Sequence, residues 1–171
     1  MAIPNSAATI EGAVFSSCYG LTNVTIPNRV TNIGLYASNF CTSLHQAYFQ
    51  RNTPGVNGGD GSADTTVFAG ESGTAYYLPG TTGWGGTFGG WPTVLWNPQM
   101  QLSDGSFGVN GNAFGFNLTG TTDIPVVVEA CTNFGGVWTP LFTGTVSSGS
   151  IYFSGSQWTN YPCRFYHVRS P

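Results

Sequence analysis

A chain of 171 residues has room for one ordinary domain or two small ones, and its 40% hydrophobic and 15% aromatic content supplies a packed core. Charged residues make up only 6%, lysine is missing altogether, and the net charge is -3. The cations are Arg29, Arg51, Arg164 and Arg169, too scattered to form the convergent basic surface that nucleic acid or an anionic membrane requires. No stretch has the length and apolarity of a transmembrane helix. Polarity carried by Ser, Thr, Asn and Gly in place of charge is a composition associated with secreted and surface β-rich proteins, so an extracellular or cell-surface location is expected.

The first half repeats itself every 23 residues: Ile3-Pro4-Asn5 recurs as Ile26-Pro27-Asn28, Ile10 as Ile33, Cys18 as Cys41 and Leu21 as Leu44. A partial turn follows, with Leu44, Ala47 and Phe49 in the places of Leu21, Val24 and Ile26. Apolar positions that recur at a fixed period predict a solenoid, because one turn cannot bury its own apolar face and must stack on the next. Leu21-Thr22-Asn23-Val24-Thr25-Ile26 supplies the strand of a turn, with Leu, Val and Ile inward. Pro27 ends it, since proline has no N–H to continue a ladder.

Over about residues 3–53 these positions resemble the BspA-like (treponemal-type) leucine-rich repeat, L-T-x-V-T-I-P-x-x-V-T-x-I-G-x-x-A-F-x-x-C-x-x-L. There are departures. Ser38 stands where the pattern has phenylalanine, with Phe40 as its candidate replacement; Ala7 replaces the first valine and Glu11 the first glycine. The resemblance implies adhesion to proteins or cell surfaces. It also implies small buried thiols, not covalently bonded, at Cys18 and Cys41. Stacking about 5 Å apart, one strand spacing, would equally bring these two within disulfide range.

Residues 54–75, rich in Gly, Ser and Thr, are expected to be loop. Asp60 and Asp64 in that stretch are weak metal candidates, short of the six to eight oxygens calcium takes. From Tyr76 to Trp96 the aromatic density predicts a cap on the last turn, glycines allowing close approach. The same density also fits a carbohydrate platform, for which Trp91 is the candidate.

Beyond Asn97-Pro98 the period disappears. Strand-length apolar segments follow at Phe114–Leu118, Ile124–Ala130, Val137–Leu141, Ser150–Phe153 and Arg164–Val168. Their spacing predicts a small antiparallel sandwich, and they resemble an immunoglobulin- or fibronectin-like module of bacterial secreted proteins. If the strands ending at Cys131 and beginning at Cys163 pair antiparallel, a Cys131–Cys163 disulfide is feasible; the register is left open.

Chemistry is scarce. His45 and His167 fall in different halves, and Gly70-Glu71-Ser72-Gly73-Thr74 misses the last glycine of a nucleophile elbow. The expectation is therefore a mainly β, non-enzymatic protein without cofactor. It comprises a solenoid with aromatic cap over residues 1–97 and a sandwich-like module over 98–171. Adhesion or self-assembly is the expected role; a filament subunit and a carbohydrate-binding module are the alternatives. Protein or cell-surface partners follow. Homo-oligomers are expected through an uncapped N-terminal end, where Ile3, Ile10, Phe15 and Leu21 would face solvent.

Overall fold

The computed structural model describes residues 3–59, 61 and 64–170, and it is mainly β. The chain divides into two compact units, Met1–Trp96 and Asn97–Pro171.

The first unit contains β1 (Thr9–Ile10), β2 (Asn23–Ile26), β3 (Asn32–Ile33), β4 (Gln46–Phe49), β5 (Gly55–Val56), β6 (Thr74–Tyr77), β7 (Thr87–Phe88) and β8 (Trp91–Leu95). They sort into two ladders. β1, β3 and β5 pair in parallel, while β2, β4, β6 and β8 form a longer parallel row that β7 closes antiparallel. The 23-residue period is the register itself: Ile10 pairs with Ile33, Ile33 with Val56, and Val24 with Ala47. Between the ladders, segment 13–17 lies on 35–39, with Ala13, Phe15 and Ser17 donating N–H to the carbonyls of Leu35, Ala37 and Asn39. Inward side chains from every pass form one core, among them Val24, Ile26, Val30, Ile33, Leu44 and Phe49.

The period also fixes conformations that residue identity does not announce. Ala13 and Tyr36 share a left-handed backbone (φ 56 and 58), as do Ser17 and Phe40 (φ 62 and 61). At Gly34 the passes approach so closely that a Cβ would overlap the backbone of Gly12.

Two sequence expectations are corrected here. Residues 54–75 are not simply loop: β5 continues the first ladder, and Val67 and Phe68 are buried in the core. The next step of the long row pairs Gln46 with Thr74, more than one period away, so an insertion masks the repeat. Nor does Phe40 take the place of the missing phenylalanine, since it is 57% exposed while Ser38 is buried. Ser38 instead donates its N–H to Val67, beside the buried Phe68.

The second unit contains β9 (Gln99–Met100), β10 (Gly108–Asn110), β11 (Ala113–Thr119), β12 (Pro125–Cys131), β13 (Thr139–Thr145), β14 (Ser150–Gly155) and β15 (Phe165–Arg169). Two antiparallel sheets result: β10-β11-β14 with β9 on β11, and β13-β12-β15. β12 is buried at every position, which its unbroken Pro-Val-Val-Val run allows and a half-exposed strand would not. Tyr166 of β15 stacks on Phe114 of β11 at 4.9 Å and meets Phe153 of β14 at 5.8 Å, so the two sheets share aromatic packing.

β12, which ends at Cys131, and β15 do pair antiparallel, but Cys163 lies before β15 begins and the bridge is not formed. Phe165 sits opposite Cys131, which leaves Cys131 buried, Cys163 exposed and both thiols free.

Candidate functional site

The N-terminal end of the first unit is the most distinctive surface of that unit. β1 and β2 are the terminal strands of their ladders, and among the described residues nothing pairs their outer edges. Beside β1 lies an open groove of about 340 Å3 lined by Ile3, Pro4, Ile10, Val14 and Phe15, with Thr9 and Glu11 as its polar edge. Of the residues expected to face solvent, Ile10 is only 4% exposed and Leu21 8%, while Ile3 and Phe15 are partly buried against the core. The correction has a simple cause: the first pass folds its own apolar side chains inward, leaving only their edges in the groove. The exposed apolar area comes from the corners instead. Val14 (53% exposed) and Tyr19 belong to one corner, Leu35, Tyr36 and Phe40 to the one stacked on it.

Behind these corners runs a column of ionisable groups. Cys18 and Cys41 are both free, and the Cys41 thiol donates to the Phe15 carbonyl at 2.9 Å. Burial pushes the Cys41 thiol up from its ordinary value, and the neighbouring Cys18 and Glu71 add to this while a backbone contact with Cys18 opposes it. Glu71 buries both carboxylate oxygens, and no side chain or backbone group meets them in good hydrogen-bond geometry, although the backbone of Phe40 and Cys41 lies close. Burial raises its carboxyl pKa, with the nearby backbone of Cys41 and Phe40 opposing.

Residues 1–58 match the family model for the BspA type leucine rich repeat region (6 copies). No curated protein and no solved structure matches the chain. The matched leucine-rich-repeat segment ends just beyond β5, so it takes in the full set of 23-residue pairings in the first ladder.

The other candidate residues have structural roles in this geometry. Trp91, beyond the leucine-rich-repeat segment, is 2% exposed, stacks on Phe68 at 4.1 Å and donates its indole N–H to the Glu71 carbonyl at 3.2 Å. It therefore cannot present a face to a sugar. Asp64 accepts from the N–H groups of Thr66 and Val67, at 2.7 and 3.1 Å, as a turn-capping carboxylate does. Asp60 lies outside the described residues, and no group of three or more metal-ligating side chains occurs among those described. His45 sits beside the Ser72 carbonyl at 3.2 Å, exposed. His167 pairs with the buried Glu129 at 3.1 Å and packs on Trp138, while Arg169 takes the other Glu129 oxygen at 2.7 Å. Sequence reasoning passes over that cluster because Glu129 is far in the chain from His167 and Arg169 and meets them only through the β12–β15 register.

Proposed function

We propose that the protein is a non-catalytic binding and assembly protein of the extracellular space or cell surface, built as a short solenoid followed by a small β-sandwich. The observation that carries this reading is the N-terminal end of the leucine-rich-repeat segment, with its unpaired strand edges and apolar groove. Strand edges left unpaired among the described residues are templates for further strands. The occupant is a second copy of the chain. A charge content of 6% leaves little long-range repulsion to keep copies apart. If this end meets the same end of the second copy the contact closes as a dimer, and if it meets a different surface it closes into a ring or runs on as a filament.

Sedimentation velocity across a concentration series tests this. Association that rises with concentration and disappears in Val14→Asp, which places a charge at the groove without touching the core, is the expected result. A single monomeric species at every concentration overturns the assembly role. A hydrolytic or transferase turnover abolished by one substitution overturns the non-catalytic one.

A further inference from the structure

The second unit holds a cleft of about 510 Å3, within the roughly 300–1,000 Å3 range of small-ligand sites. Its lining is aromatic, with Phe107 and Tyr161 exposed at the rim and Tyr166 deeper. Arg164 projects into this lining. Its guanidinium lies over the Tyr161 ring at 4.4 Å and 5.8 Å from the centre of Tyr166. Among the described residues Glu129 is met by His167 and Arg169, and no carboxylate pairs with Arg164. The aromatic faces hold the cation in place, and its fork of N–H donors suits a paired-oxygen anion. Trp158 also lines the cleft.

An occupant suited to this lining brings an anionic pair of oxygens for the Arg164 fork and a flat C–H face for the exposed rings. A neutral sugar lacks the anion. An acidic peptide side chain carries the anion on a flexible stem and lacks the face. A pyranose bearing a carboxylate has both. We propose that this cleft binds an acidic sugar residue of a polysaccharide, its carboxylate on Arg164 and its ring face on Tyr161 or Phe107. This site is separate in residues and chemistry from the assembly end, and it takes over the carbohydrate role that Trp91 cannot fill.

Oligogalacturonate and its fully methyl-esterified form are suitable probes, titrated into the full chain by calorimetry. Cys163, exposed in the cleft lining, gives an independent readout through peptide-mapped alkylation. The acid form should bind and slow alkylation of Cys163, while the ester should bind at least about tenfold more weakly, as loss of a charge-assisted bidentate contact implies. Arg164→Gln should lose a similar factor with unchanged near-UV circular dichroism, and Arg164→Lys should recover only part of it. If Arg164→Gln fails to fold, the acid-against-ester comparison on the unaltered protein still decides. Equal binding of acid and ester, binding that leaves Cys163 alkylation unchanged, or protection of Cys163 by a glutamate-rich peptide but not by oligogalacturonate would each overturn the proposal.

Discussion

The Cys41 thiol donates to the carbonyl of Phe15 at 2.9 Å, a hydrogen bond that crosses from the second repeat to the first. Because burial raises the Cys41 pKa above its ordinary 9.0, the unfolded chain releases this proton first. Its contribution to stability is complete below pH about 9 and is lost as pH rises through the folded-state value. Cys41→Ala should lower stability at neutral pH by about 1–2 kcal/mol, from lost buried contacts and a lost hydrogen bond, the Phe15 carbonyl keeping only the Cys18 N–H as donor. The gap between variant and parent should then narrow above pH about 9, in thermal melts followed from neutral to alkaline pH.

Glu71 gives the opposite outcome at neutral pH. Its carboxyl is raised above the ordinary 4.5, so the folded protein resists ionisation that the unfolded chain accepts. The folded state is unpenalised below pH about 4.5 and loses stability as pH rises through the folded value, after which the deficit stays constant. Glu71→Gln should therefore raise the melting temperature at pH about 7 and leave it nearly unchanged at pH about 4. A variant less stable at neutral pH would mean that the carboxylate is compensated.

Ala13 occupies the left-handed region at φ 56 without being glycine. That conformation costs an ordinary residue about 1–2 kcal/mol, while glycine adds about 0.4–1 kcal/mol of unfolded-chain entropy to be lost. Ala13→Gly should accordingly stabilise the protein by about 0.5 kcal/mol, where the same change in an ordinary strand destabilises. Denaturant midpoints at constant slope measure it.

Ala13 and Tyr36 also mark where the fold stops being readable from sequence. The apolar period is legible because every pass must bury the same positions, and Ile10, Ile33 and Val56 do so in one ladder. The shared left-handed φ of Ala13 and Tyr36 is not legible, since no common side-chain chemistry produces it. Inserted residues before Thr74 break the step that makes a repeat visible, so Val67 and Phe68 look like loop residues. Strand alternation cannot distinguish Cys163 from Phe165 as the partner of Cys131, because a shift of two residues keeps every side chain on its face. The Arg164 cleft is hidden for a related reason: its residues come from several strands and loops, and only the closed sheets bring them together.

Aromatic density is the most ambiguous signal in the chain, and Trp91 is its sharpest case. A platform residue and a core residue are the same letter in sequence; burial separates them. The ring is 2% exposed, stacked on Phe68 with planes 14° apart, and its N–H is satisfied by the Glu71 carbonyl. Trp91→Ala should cost about 3–5 kcal/mol, the usual penalty for emptying so large a buried site. Trp91→Phe keeps an aromatic ring against Phe68 but removes the N–H donor, so it should cost nearer 1–3 kcal/mol, with the cavity smaller than in the alanine variant and the same hydrogen bond lost. Equilibrium denaturation of both variants gives these values. A Trp91→Ala protein as stable as the parent would return the ring to the surface and reopen a ligand role for it.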